Sequence, residues 1–218
     1  MAESVSSEPP TEIQATVRNY FATPVVVSQL PDTAALNSQL REIILERERT
    51  LPSTEHSNLG GWQSTWDLAE WGGEPSRTVL DAAMRLGTRM TADRAGKPVK
   101  VDWKTNAWAN VNRTSNGNEF HTHPGSYWSA AYYVDDGGIA DDQSLGGEFE
   151  IQDPRGVGPA MYAPLLSFAM NGGQSVGASE LVHPKAGYMI MFPAWLSHGV
   201  RPYTGASTRI SIALNLSV

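Results

Sequence analysis

From Val99 to its end the chain breaks into short runs of β-branched and aromatic residues separated by Gly, Pro, Asn and Asp. That texture restricts the fold more than any other feature. Runs at 99–113, 118–123, 127–135, 146–152, 187–192 and 207–217 are candidate strands, bounded by those turn-forming residues. So many short strands bury their apolar faces only against another sheet, or by closing on themselves. The expected class is therefore mainly β: a jelly roll or barrel, with any helices packed outside it.

The helices come first. Leu36, Leu40, Ile43 and Ile44 recur at helical spacing after Pro31, which predicts a helix over about 32–49 with Asp32 as its N-cap. A second helix is expected to start at Pro75, carry Val79, Ala83, Leu86 and Met90 on one face, and stop near Gly96. Before them, Tyr20 to Val27 reads as a strand. The loop between the helices holds Trp62, Trp66 and Trp71, which serve either as packing or as a stacking surface for a substrate. Residues 1–15, with Pro9-Pro10 and several Ser and Glu, read as a disordered leader. Residues 16–218 then form a single domain, helical to about 96 and β from about 99 to 217. The Gly- and Pro-rich stretch 153–180 is too long for an ordinary turn and reads as a lid or mobile segment.

Composition removes several classes. With no cysteine, thiolate zinc, iron–sulfur and cysteine-nucleophile chemistry are excluded. A formal charge of −7, from 16 Lys+Arg against 23 Asp+Glu, argues against nucleic acid or an anionic membrane as partner. The start shows neither a basic region nor an apolar run, so the expectation is a cytoplasmic protein acting on a small-molecule or peptide substrate. A homo-oligomer is compatible with the sequence.

Chemistry is concentrated in the histidines. Of five, His121 and His123 stand two apart within an expected strand, facing one side about 7 Å apart. Both can reach a metal placed between them, and His198, after the break at Pro193, is the best third ligand. The plain alternative is a pair of surface or core histidines. On the strand that follows, Tyr127, Ser129, Ala131 and Tyr133 share one face, and Trp128, Ala130, Tyr132 and Val134 the other. On the last strand Arg209, Ser211, Ala213 and Asn215 oppose Ile210, Ile212, Leu214 and Leu216. Arg209 with Ser211 makes either a carboxylate clamp or the polar stripe of an edge strand.

These residues, taken in chain order, carry a resemblance. His198-Gly-Val200-Arg201-Pro202 followed by Arg209-Ile-Ser211 resembles the distal half of the iron(II)- and 2-oxoglutarate-dependent oxygenases, especially their prolyl-hydroxylase-like branch. His121-x-His123-Pro124 with Ser129-x-x-Tyr132-Tyr133 resembles the proximal half. Trp108-x-Asn110-Val111, Asn118-x-x-His121, Asp153-Pro154-Arg155 and Phe192-Pro193-x-Trp195-Leu196-x-His198 are similar to a bacterial group of such enzymes. The likeness spans about 99–217. It implies a double-stranded β-helix, also seen in cupins, with Fe(II) on His121, His123 and His198. It also implies that 2-oxoglutarate is held by Arg209 and Ser211 with Tyr133 as a further donor. The implied reaction is decarboxylation to succinate with hydroxylation of a second substrate. Trp128, Asn110 and Asn118 are the expected substrate-side residues, with the 153–180 loop shaping the same side.

One position departs from the family pattern. Where the family places a carboxylate, this chain has His123. Three neutral imidazoles suit iron(II) in an unusual triad, or zinc with water. Glu119 keeps the strand parity of His121 and is the alternative ligand. Two other readings stay open at this stage. One is a three-His cupin-like metalloenzyme without 2-oxoglutarate; the other is a non-enzymatic ligand-binding jelly roll.

Overall fold

A computed structural model describes residues 20–161, 163, 165–166 and 178–218. The expected leader lies outside them, as does most of the second half of the 153–180 segment. In chain order the strands are β1 (Val26–Gln29), β2 (Asn58–Leu59), β3 (Trp62–Gln63), β4 (Lys104–Asn112), β5 (Gly117–His121), β6 (Trp128–Asp135), β7 (Phe149–Gln152), β8 (Ser179–Val182), β9 (Tyr188–Pro193), β10 (His198–Val200) and β11 (Arg209–Ser217). The helices are α1 (Thr33–Thr50), α2 (Leu68–Trp71), α3 (Gly73–Arg89) and α4 (Gly158–Met161). One antiparallel sheet runs β1-β9-β6-β11-β4-β3, the other β2-β5-β10-β7-β8. Two facing sheets with this topology make the mainly β jelly roll, a double-stranded β-helix.

Alternation within the strands explains the layering. Ile210, Ile212, Leu214 and Leu216 of β11 join Trp128, Ala130, Tyr132 and Val134 of β6 in a core that also takes Leu40 and Ile44 of α1 and Val79, Leu80 and Ala83 of α3. The helices therefore cover the outer face of the six-stranded sheet. A smaller core, including Tyr133, Phe149, Ile151, Phe192 and Leu196, lies between the sheets. The opposite parity of β6 and β11 thus faces the interior of the roll, and the functional cleft is found there.

Several expectations change. The N-terminal part is not merely helical, because β1, β2 and β3 add strands to both sheets. The first strand starts at Val26 rather than Tyr20, and Tyr20 and Phe21 are exposed. Asp32 precedes α1 in a left-handed conformation, and its side chain makes no capping bond. The second helix stops at Arg89, well short of Gly96, leaving Met90 outside it and exposed. Trp62 enters the core and Trp71 packs partly against it, whereas Trp66 stays 41% exposed. Strands β8 and β10, four and three residues long, are too short to show a period in sequence. Among the described residues no helix is long and apolar enough to cross a membrane.

Candidate metal centre and anion anchor

His121 closes β5 and His198 opens β10, and antiparallel pairing sets the two directly opposite each other. Between His198/His121 and Val200/Asn118 the register slips, with three steps on β5 against two on β10. The extra residue is a bulge, which breaks alternation. Asn118 and His121 consequently both line the cleft although they are three apart, and Glu119 is exposed on the outside. This corrects the parity argument for Glu119 as a ligand. Gly199 makes the pairing possible, since a Cβ there would stand 2.9 Å from the Asn118 carbonyl oxygen.

His123 reaches the same point by another route than strand alternation. β5 has already ended, and the chain turns so that the His123 N–H donates to the Ala194 carbonyl at 2.9 Å. Its ring rests against Trp108 of β4, with centroids 5.7 Å apart. The rings of His121 and His123 stand 4.9 Å apart, edge to face. Phe149 and Phe192 support the His198 ring at 5.1 and 4.5 Å.

The nitrogens are oriented by the backbone. His121 Nδ1 donates to the Glu119 carbonyl and His198 Nδ1 to the Leu196 carbonyl, both at 2.8 Å. Each neutral ring must then carry its lone pair on Nε2. The Nε2 atoms of His123 and His198 meet at 3.2 Å, and ligand atoms of the three residues all lie within 4.8 Å of one another. Desolvation, with smaller contributions from neighbouring histidines, lowers His123 to about 4 and His198 to about 3, and lowers His121 as well. At neutral pH the cluster is three unprotonated imidazoles converging on one point, the donor set of a divalent-metal site. No Asp or Glu lines the cleft among the described residues. The donors present thus fit a transition-metal ion bound by nitrogen alone, with positions left for other ligands.

The cleft, about 490 Å³ of empty space including its open mouth, runs from these histidines to Arg209. β11 is a central strand between β6 and β4, so the edge-stripe reading of Arg209 does not hold. Arg209 is 1% exposed and makes one long bond, Nη1 to Asn112 Oδ1 at 3.3 Å. Its Nε has no partner, and it forms no ion pair among the described residues. The Tyr133 ring lies 5.5 Å from the guanidinium, and the Tyr133 hydroxyl is also buried without a hydrogen bond. Burial raises Tyr133 to about 12, so it remains a neutral donor, and burial lowers Arg209. A buried, unpaired guanidinium is costly unless an anion meets it. The side chains present therefore suit a ligand whose one end binds metal and whose other end is a carboxylate.

Of the expected substrate-side residues, Asn110 and Asn118 line the cleft. Trp128 does not. It faces the helices, 4% exposed, with Nε1 donating to Thr91 Oγ1 at 2.9 Å. Its parity, shared with Ala130 and Tyr132, places it there. His183 is exposed, outside the histidine cluster. Ser57, Trp108, Phe149 and Phe192 also line the cleft. Trp108 and Phe192 stood within the sequence motifs; Ser57 gave no signal.

A double-stranded β-helix with converging histidines at one end of its interior and a buried cation further along defines the class of metal-dependent jelly-roll oxygenases. Comparison with known proteins makes the assignment specific. A family model described as "Putative 2OG-Fe(II) oxygenase" matches residues 106–215, and the chain belongs to that family. Its fold is similar to a Pseudomonas putida prolyl-4-hydroxylase (16% identity, TM-score 0.62, 89% of this chain and 92% of that one). It is also similar to a Trichoplax adhaerens prolyl hydroxylase crystallised with a hypoxia inducible factor peptide fragment (12%, 0.61, 88% and 83%). A third is HygX from Streptomyces hygroscopicus, solved with nickel and 2-oxoglutarate bound (12%, 0.56, 89% and 83%). No curated protein matches the sequence.

Proposed function

We propose that this oxygenase couples oxidative decarboxylation of 2-oxoglutarate, giving succinate and CO2, to hydroxylation of an organic substrate. The observation that carries the reading is Arg209: a fully buried cation that forms no ion pair among the described residues, in the cleft that also holds the three histidines. His121, His123 and His198 would hold Fe(II), which, when bound, supplies the O₂-activating redox chemistry that no side chain provides.

The remaining roles belong to the chain itself. Arg209 binds the far carboxylate of 2-oxoglutarate with a charged fork, and Ser211 adds a neutral donor from the same face of β11. Tyr133, kept protonated by burial, donates from the neighbouring strand β6. Between this end and the histidines, Ala131 and Ala213 stand directly opposite each other. Their small side chains leave the floor of the cleft clear for the carbon chain of the co-substrate. Phe149 and Val200 face it from the other sheet, Phe192 of β9 flanks it within the same sheet, and the three exclude water from the path. Among the described residues no carboxylate lines the cleft, so the histidine set is neutral and the near carboxylate of the co-substrate would bring the negative charge to the divalent ion.

The test is turnover with metal analysis. Iron-loaded protein should convert 2-oxoglutarate to succinate, slowly without the second substrate, and the triple variant His121→Ala/His123→Ala/His198→Ala should lose both metal and succinate formation. Stoichiometric iron with no succinate formed would favour a metalloenzyme that does not use 2-oxoglutarate.

A further inference from the structure

Asn110 is a cleft residue that the reading above leaves unused. It lies on β4 directly opposite Ser211 of β11, which in turn stands opposite Tyr133 of β6. Three neighbouring strands thus present Tyr133, Ser211 and Asn110 side by side as one polar rung. One rung further along, Asn112 of β4 stands opposite Arg209 and touches its guanidinium. On the other side of the polar rung, toward the histidines, come Ala131, Ala213 and Trp108.

Asn110 is 8% exposed, its Oδ1 is buried without a partner, and its side-chain amide makes no hydrogen bond among the described residues. A buried amide oxygen left without a partner is rare, because the unmade bond carries its full desolvation penalty. Its counterpart across the rung, the Tyr133 hydroxyl, is open in the same way. Both face the cleft and flank the strand that carries the anion anchor. No hydrogen bond among the described residues ties the amide, so a half-turn exchanges Oδ1 for Nδ2 and places a donor where the acceptor now points.

We infer that Asn110 binds the co-substrate rather than the second substrate: its amide Nδ2 donates to the carboxylate of 2-oxoglutarate from the β4 side, as the Tyr133 hydroxyl does from the β6 side. This rests on the 2-oxoglutarate reading. It assigns the anchor three neutral donors grouped around one guanidinium, with Asn112 holding the guanidinium in place. The rung then recognises the ligand by its negative charge, and a negative side chain at position 110 is incompatible with it.

The test uses the full-length protein loaded with nickel(II) and calorimetric titration with 2-oxoglutarate. Asn110→Ala removes one donor to a charged acceptor and should weaken binding about tenfold. Asn110→Asp keeps size and shape but sets a carboxylate against the ligand's own, and should weaken it roughly a hundredfold or more. Both should bind nickel as the wild type does, which separates loss of the anchor from loss of the fold. If Asn110→Ala fails to retain nickel, Asn110→Asp and Asn110→Ser carry the test. Wild-type affinity in Asn110→Asp with nickel retained overturns the assignment while leaving the function intact. A nickel-loaded wild type that does not bind 2-oxoglutarate overturns the function and this assignment with it.

Discussion

Replacing Arg209 by Met should have two effects of opposite sign, and both follow from its surroundings. The guanidinium is 1% exposed and, among the described residues, forms no ion pair and has a single long bond to Asn112. An uncompensated buried charge costs several kcal/mol even after relaxation. Met fills much of the same volume without charge, so the metal-free variant should be more stable than the wild type. A net gain of about 1–3 kcal/mol corresponds to roughly 2–12 °C in thermal midpoint for a domain of this size. Ligand binding reverses the balance. Truncating one partner of a buried charge pair costs about 2–5 kcal/mol, roughly thirtyfold to several thousandfold in affinity. Arg209→Met should therefore bind metal normally and 2-oxoglutarate far more weakly. Ser211→Ala, which loses one neutral donor, should cost about 1–2 kcal/mol. Differential scanning calorimetry without ligand and titration with it measure the two halves independently. A variant that is destabilised without ligand and binds 2-oxoglutarate like the wild type would refute the reasoning, because Arg209 would then be a satisfied structural residue.

Other expectations concern the histidines and their support. His198→Ala should lose most bound metal and exposed His183→Ala none; His123→Asp should retain iron, and Glu119→Ala should change little, all read by elemental analysis. Gly199→Ala should push β10 away from β5, because the added Cβ would sit 2.9 Å from a backbone oxygen. This separates His121 from His198 and should weaken metal binding about tenfold or more, measured by competition with a chelator. Metal-free protein should lose stability as pH falls. His123 and His198 are lowered from the ordinary 6.5 to about 4 and about 3, so the unfolded chain binds more protons between those values. The thermal midpoint should drop from about pH 6.5 toward 4, and a His123→Asn/His198→Asn variant should show a flatter profile.

What sequence reasoning could reach was set by period and length. The alternation of β11 over nine residues set Arg209 and Ser211 on the face opposite the leucines and isoleucines but did not say which face is inner; the structure turns the polar face to the cleft and the apolar one to the helices. The same rule applied to Trp128 sends it to the helix side, against the expectation that it lies on the substrate side of the cleft. Alternation failed at β5, because one extra residue reverses parity, and no residue type there announces a bulge. The histidines were identifiable by motif, but their convergence was not. It depends on a three-residue strand, a bulge and a turn after Pro124, all set by tertiary pairing rather than by local pattern. The edge strands β2 and β3 lie in a Gly- and Trp-rich loop, and they form only because the two sheets offer them partners.

The central claim is that one cleft binds a metal through three histidines and 2-oxoglutarate through Arg209 at the same time. Anaerobic addition of 2-oxoglutarate to the iron(II)-loaded protein tests it directly, because the keto acid gives a visible charge-transfer band only when it chelates the bound iron. The wild type should show a band that saturates at one equivalent per iron, and Arg209→Met should show none at the same concentrations. Iron fully bound with no band at saturating 2-oxoglutarate, or an equal band in Arg209→Met, would contradict it.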